Sequence, residues 1–272
     1  MPSVKSRVVR AHITPFQIQK KGNAVQENDD AYAPLEIFDV RARRLRVAVS
    51  DGATEGFQSG RWATHLVHEF VRRRTLDVAR ITTRARDRWD DWLRQYLEDR
   101  SRTRPLHWYE EAGLERGAFA SLIGLDVEAH PHEVDGDRWQ AIALGDSCLF
   151  HVRDLDLLAT FPLSGSADFN NRPVLIASNM SYEHAGSVGA TCRVTGSWQT
   201  DDTFYLATDA MARWLFTQVE EGREPWSILR DLDTEDQMKV FDEWIAELRS
   251  IDELKNDDVT LVRVDLTAGW SQ

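Results

Sequence analysis

The chain is 272 residues long with a formal net charge of −12, the wrong sign for a nucleic-acid footprint or an anionic membrane surface. This length is near the upper size for one hydrophobic core, and no linker rich in Pro, Gly or Ser divides it, so a single domain over residues 1–272 is expected. Two cysteines, no apolar leader in residues 1–10 and no run of membrane-spanning length exclude a disulfide framework and a membrane anchor, and predict a soluble protein of a reducing cytoplasm.

Strand patterns come first along the chain. Residues 8–18, 31–40 and 45–51 are short β-branched and aliphatic runs that read as strands. A helical block follows. Trp62, Ala63, Leu66, Val67, Phe70 and Val71 recur at helical spacing, giving a helix over about 58–74, and Trp89, Trp92, Leu93, Tyr96 and Leu97 repeat the pattern on a second. Both stripes are expected to face a sheet. His65 and His68 lie three apart on the first helix, a spacing that can bind metal, but no third ligand is near and they flank the apolar stripe. Arg72-Arg73-Arg74 reads as a solvated helix end favoured by the dipole.

Strands resume at 118–127, 139–144 and 148–152, the last two joined by the tight turn Gly145-Asp146-Ser147, read as a hairpin. Cys148 and Cys192 are expected as small buried apolar residues in or near strands. Residues 163–189 are rich in Ser, Asn and Gly without periodicity, which predicts an irregular flap. After a strand at 203–208, helices are expected over 210–221 and 234–249, the second with Met238, Phe241, Trp244, Ile245 and Leu248 in its stripe. A strand at 259–264 closes the chain. Strands and helices in blocks, without regular alternation, favour packed antiparallel sheets covered by helices over a doubly wound sheet.

Four aspartates stand at the ends of these apolar runs. Val47-Ala48-Val49-Ser50 leads into Asp51, Ala141 to Gly145 into Asp146, and Phe204 to Thr208 into Asp209, while Asp257-Asp258 opens the last strand. Strand ends can meet in space, and carboxylates that converge repel one another unless a cation lies between them. Oxygen-only ligands select hard ions, Mg²⁺ or Mn²⁺. Each residue also has a plainer reading: Asp51 as a turn residue, Asp209 as a helix cap, Asp146 as hairpin chemistry and Asp257 as a polar strand start.

Five motifs in order carry a family resemblance: Asn28-Asp29-Asp30-Ala31-Tyr32, Val47 to Gly52, Gly145-Asp146-Ser147, Thr208-Asp209-Ala210 and Asp257-Asp258-Val259-Thr260. Together they resemble the PPM, or protein phosphatase 2C-like, metal-dependent serine/threonine phosphatases, in a divergent, bacterial-looking form. The resemblance implies an α+β fold, a four-layer α-β-β-α sandwich of two antiparallel sheets flanked by helices. It also implies a site for two Mn²⁺ or Mg²⁺ ions at one edge. By motif position Asp51 would bridge both ions, the Gly52 carbonyl would complete one shell whose waters Asp30 holds, and Asp209 and Asp257 would ligate the other. Asp29 is the alternative to Asp30. Asp146 matches the position of a looser third ion. The implied activity is signalling hydrolysis of phosphoserine or phosphothreonine in a partner protein, opposing a kinase, by a water that bridges two ions. Asp51, Asp209 and Asp257 would then act through metal-bound water and no protein nucleophile is needed. The chain accordingly has no Gly-x-Ser-x-Gly elbow and no phosphate-binding Gly-x-x-x-x-Gly-Lys loop.

The chain departs from the family pattern in three places. Val25 stands where many members carry a phosphate-gripping arginine, leaving Lys20, Lys21 or Arg46 as substitutes. The usual Asp-Gly-x-Gly-Gly is Asp51-Gly52-Ala53-Thr54-Glu55, and Ala210 replaces a glycine after Asp209. Two function classes follow: a phosphatase, or a pseudophosphatase that uses the same fold as a binding or regulatory module.

Overall fold

The computed structural model describes residues 7–35, 38–103, 108–129, 137–170, 172–182, 190–232 and 236–270. Its strands form two large antiparallel sheets. In the first, β1 (Arg7–Ile18), β3 (Phe38–Ala42), β8 (Cys148–Arg153), β9 (Asp156–Phe161), β12 (Asp202–Ala207) and β13 (Val259–Trp270) lie in the order β3-β1-β13-β12-β8-β9. In the second, β2 (Ala31–Ala33), β4 (Arg44–Ser50), β6 (Leu122–Glu128), β7 (Arg138–Leu144) and β11 (Cys192–Ser197) lie in the order β11-β7-β6-β4-β2. A short pair, β5 (Phe119–Ala120) with β10 (Ile176–Ala177), sits beside them.

Period-two alternation decides what lies between the sheets. Leu45, Val47 and Val49 of β4 and Leu125 of β6 meet Ile13 of β1, Phe204 and Leu206 of β12 and Val264 of β13 in one buried layer. The alternate positions face helices. Ala48, Leu122 and Ile142 pack against α1 (Ser59–Arg72) through Trp62, Leu66 and Phe70. A side chain at Gly124 would lie 2.4 Å from the Phe70 ring, so glycine there lets Phe70 rest on the sheet. Tyr205, Ala207 and Phe150 cover the other sheet's outer face under α4 (Asp209–Glu220), α5 (Pro225–Asp231) and α6 (Gln237–Ser250), reached by Leu215, Trp226 and Phe241. These layers make the expected four-layer α-β-β-α sandwich.

Several local expectations are corrected. The run 31–40 is two strands in different sheets: β2 pairs with β4, and β3 pairs with β1. Pro34 lacks the amide hydrogen a ladder needs and ends β2. The turn Gly145-Asp146-Ser147 is no hairpin, because β7 pairs with β6 and β11 while β8 pairs with β9 and β12. It carries the chain from one sheet to the other. The second helix is α2 (Val78–Thr103), which packs on α1 instead of the sheet, through Trp89 against Trp62. Strands β9 and β11 and helices α3 (Trp108–Arg116) and α5 had no strong period in the sequence. Cys148 is buried but Cys192 is exposed, and Met238 is exposed on α6. Thr234, the expected start of that helix, lies outside the described residues, as do 171 and 183–189 of the flap. The described flap is irregular apart from β10 and two short 3₁₀ turns, and is tied down where the Trp62 indole donates to the Ile176 carbonyl at 2.8 Å. Among the described residues no helix is long and apolar enough to cross a membrane.

Candidate active site

Register brings the acidic motifs to one edge. In the first sheet, Ala207 of β12 stands opposite Leu261 of β13 and Cys148 of β8, so Asp209, Asp257 and Asp146 leave the sheet at the same end. In the second, Ala31 pairs with Ser50, which places Asp30 beside Asp51. The two ends are joined by hydroxyls. The Asp51 amide donates to Ser121 Oγ at 3.0 Å, the Ser121 amide donates to the Asp51 carbonyl at 2.8 Å, and Ser121 Oγ lies 2.6 Å from Ser147 Oγ in the sheet-to-sheet turn. Gly52 follows at a point of very close approach. A Cβ there would stand 2.5 Å from the Asp29 carbonyl oxygen and 2.8 Å from the Ser59 backbone, so only glycine fits.

Adjacent acids in the early motif have different tasks. Asp30 is buried, and its Oδ2 accepts the Thr208 hydroxyl at 2.9 Å. Gln17 Nε2 donates to the Asp30 carbonyl and to Thr260 Oγ1, each at 3.1 Å. Asp29 turns the other way and its Oδ1 accepts the Gly60 amide at 2.9 Å, capping the start of α1. Asp258 is an anchor: its oxygens accept the amides of Lys20 at 2.7 Å and Asp29 at 2.8 Å, fixing the 20–29 loop to the start of β13.

Mutual repulsion is the electrostatic signature of the edge. Burial pushes the Asp51 carboxyl well up, and the charges of Asp30, Asp209, Asp146 and Asp257 push it further. Burial, then Asp258 and Asp209, push Asp30 up against hydrogen bonds from Thr260 and Thr208. Asp146 is pushed up to about 6 by burial and then by Asp209. Asp209 is raised by burial, with Lys255 opposing and Asp257 adding to the shift. Lys255 supplies the local positive charge: its Nζ lies 2.6 Å from Asp257 Oδ2 and 3.5 Å from Asp209 Oδ2. Burial lowers this ammonium, but its two carboxylate partners outweigh that and raise it.

Among the described residues, no three His, Cys, Asp or Glu side chains yet close on a common point at ligating distance. The donor chemistry nonetheless fits a hard divalent ion. The acidic side chains gathered here offer oxygen donors, the carboxylates repel one another, and a cationic nitrogen stands between two of them.

Of the other sequence candidates, Lys20, Lys21 and Val25 stand on the loop that Asp258 anchors, while Arg46, His65 and His68 belong with α1. Arg46 is buried under α1, with its guanidinium 3.9 Å from the Phe70 ring centroid and donating to the Thr75 carbonyl at 2.8 Å, so it is not a phosphate grip. Val25 is 68 % exposed on a single 3₁₀ turn. The Lys20 and Lys21 amides are held by Asp258 and Asn256. Burial and then Arg61 push His65 down to about 4, and His68 is also lowered, so the pair is neutral and has gathered no third ligand. Arg72, Arg73 and Arg74 are exposed at the end of α1.

No family model and no curated protein sequence matches the chain. Solved structures do. The Mycobacterium tuberculosis serine/threonine phosphatase PstP/Ppp superposes with a TM-score of 0.57 at 13% identity, covering 95% of this chain and 99% of that one. PppA, described as a regulatory component of the type VI secretion system in Pseudomonas aeruginosa, gives 0.56 at 15% identity over 96% and 99%. The PstP catalytic domain in complex with two manganese ions gives 0.53 at 14% identity over 95% and 99%. The chain has the protein phosphatase 2C fold.

On this 2C fold the sequence motifs supplied the carboxylates but not what holds them. Ser121 was missed, although a serine interrupting the apolar run 118–127 is a signal of a strand end with a polar task. Lys255 was missed too. Its signal was a lone cation inside the acidic stretch Asp252 to Asp258.

Proposed function

We propose that this protein is a Mn²⁺- or Mg²⁺-dependent phosphomonoester hydrolase acting on phosphoserine or phosphothreonine in a partner protein, opposing a kinase. The observation that carries this reading is the meeting of Asp30, Asp51, Asp146, Asp209 and Asp257 at one edge of the sandwich, where burial and neighbouring carboxylates raise the first four. In this reading Asp51 and the Gly52 carbonyl, with Asp30 behind them, would hold one ion, Asp51, Asp209 and Asp257 would hold a second, and Asp146 would serve a looser third. When bound, such ions supply the positive charge that neutralises phosphoryl oxygens and acidifies water. The chain's own residues fix the positions. Ser121 and Ser147 hold the Asp51 backbone against the sheet-to-sheet turn, Thr208 and Gln17 orient Asp30, and Asp258 keeps the 20–29 loop closed on the edge.

A second reading, a pseudophosphatase used as a binding module, is favoured by one observation: neither Val25 nor Arg46 presents a cation to a phosphate at this edge. The deciding experiment is hydrolysis of a small aryl phosphate and a phosphothreonine peptide with millimolar Mn²⁺. The phosphatase reading expects turnover that Asp51→Asn abolishes while the fold persists. Wild-type turnover in Asp51→Asn would sink the mechanism, and Mn²⁺ binding without any turnover would establish the binding module.

A further inference from the structure

The loop before β13 places one cation where it does not serve the fold's packing. Lys255 leaves its side chain 60% exposed and bends the ammonium back to the edge, where it meets Asp257 Oδ2 at 2.6 Å and Asp209 Oδ2 at 3.5 Å. Arg249, the neighbouring cation, donates to backbone carbonyls, Gln19 at 3.2 Å and Asp257 at 2.5 Å, and reaches the Asp257 carboxylate only through its charge. Asp209 and Asp257 are only about a quarter exposed, so what neutralises them must come close. A four-carbon stem in solvent can withdraw without opening any core.

We infer that Lys255 is a tethered competitor for the cation position between Asp209 and Asp257, so that a divalent ion takes that position only by displacing the ammonium. This rests on the proposed metal-dependent reading and adds to it a residue that sets how much ion the site requires. The two cations cannot share one carboxylate pair. At a separation near 4 Å an ammonium and a divalent ion repel even under full aqueous screening, and more strongly at a half-buried edge. The lysine is the weaker occupant, having a single charge and a flexible stem, but it is covalently present at a high effective concentration. Its charge also acts on Asp146, so its departure frees three carboxylates together. The consequence is a threshold. Below it the acidic edge is held together by the protein's own cation, and above it the site loads. The other half of the edge, at Asp30 and Asp51, has no contact of this kind with Lys255.

Isothermal titration of the whole, metal-stripped chain with Mn²⁺ tests this, using wild type, Lys255→Met, Lys255→Arg and Asp51→Asn. Lys255→Met keeps the stem and removes the charge. It is expected to bind Mn²⁺ at least about tenfold tighter than wild type, because a repulsion of a kcal/mol or more is relieved. Its metal-free form is expected to melt lower, with Asp209 and Asp257 left facing each other. Lys255→Arg should bind like wild type. A merely structural lysine would make Mn²⁺ binding weaker when removed, so an unchanged or weaker affinity in Lys255→Met overturns the inference. If wild type binds Mn²⁺ and Asp51→Asn does not, that failure leaves the metal-dependent reading standing. Absence of binding in wild type and Lys255→Met alike overturns both, whereas binding in Lys255→Met alone supports the competitor.

Discussion

Thr208 and Asp30 lie 178 residues apart in sequence, and the Thr208 hydroxyl donates to the Asp30 carboxylate at 2.9 Å. The same oxygen accepts the Thr260 amide at 3.0 Å, so one side chain locks the ends of β12, β13 and the early acidic loop together. Both partners are buried. Thr208→Val keeps the shape but strands the Thr260 N–H and removes a donor from Asp30. The expected cost is about 1–3 kcal/mol of stability, the penalty for a buried polar group left unpaired. Urea unfolding should show it, Thr208→Ser should restore most of it, and wild-type stability in Thr208→Val would refute the role assigned here.

Gly52 gives a sharper steric test. Its absent Cβ would overlap the Asp29 carbonyl oxygen at 2.5 Å and Ser59 backbone atoms at 2.8 and 2.9 Å, and backbone cannot step aside as a flexible side chain can. Gly52→Ala is therefore expected to destabilise the chain by about 1–3 kcal/mol, the usual cost of overpacking. It should also displace Asp51 by pushing α1 from the acidic loop. Thermal melting with and without Mn²⁺ separates the two effects, because only the second lowers the response to the ion.

Much of this edge was legible in sequence because β-strands encode their ends. An apolar run with period two must stop where its polar terminus reaches the sheet edge, which is why Asp51, Asp146 and Asp209 could be picked out. Which sheet each strand joins was not legible. Residues 139–152 read as a hairpin because a Gly-Asp-Ser turn has the same local chemistry whether it reverses a strand or crosses between sheets. Long-range pairing distinguishes the two, and the Ser121 to Ser147 contact at 2.6 Å and the fit of Gly145 against the Ser121 side chain accompany the crossing. Arg46 was misread for a related reason. On β4 it alternates with Leu45 and Val47, and its face is settled by the partner helix α1, which local pattern does not show.

The raised Asp146 carboxyl predicts an unusual pH dependence. Its folded-state value near 6 lies above the ordinary 3.8, so between those values the folded chain holds a proton that the unfolded chain has released. Metal-free stability therefore falls as pH rises through that window, the reverse of the usual carboxylate case. Asp146→Asn removes the penalty. It is expected to stabilise the metal-free protein at pH 7.5 by on the order of 1–3 kcal/mol and to do nothing at pH 4. Scanning calorimetry at the two pH values checks this, and equal effects at both would reject the assignment.

Divalent ions should act in the opposite direction on the same carboxylates. An ion that binds only the folded chain stabilises it by about 2.7 kcal/mol at a hundred times its dissociation constant. For a chain of this size that is roughly 5–10 °C in Tm. Mn²⁺ and Mg²⁺ are expected to produce the rise, Ca²⁺ to bind with little turnover, and Asp51→Asn, Asp209→Asn and Asp257→Asn each to blunt it. A flat melting profile across a Mn²⁺ titration to millimolar levels would count against the metal site as a whole.

Val25 offers a gain-of-function test. Its side chain is 68 % exposed on the 3₁₀ turn Val25–Glu27, whose geometry is maintained by the Ala24 amide donating to Glu27 Oε2 at 2.6 Å and not by the valine. Substitution there should change stability by no more than about 0.5 kcal/mol. Val25 cannot donate a hydrogen bond, and Arg46 is committed to Phe70 and Thr75, so a bound phosphate gains nothing from either. A guanidinium at position 25 would add a charge-assisted bond, about 1.5–3 kcal/mol or roughly 10- to 150-fold. Val25→Arg is therefore expected to lower KM for a small aryl phosphate with Tm unchanged, and Val25→Lys to do so less, since an ammonium lacks the paired donors. Steady-state kinetics at saturating Mn²⁺ reads the effect. Tight binding by wild type, or identical KM and kcat in Val25→Arg, would show that the phosphate is held by other groups and that position 25 faces away from it.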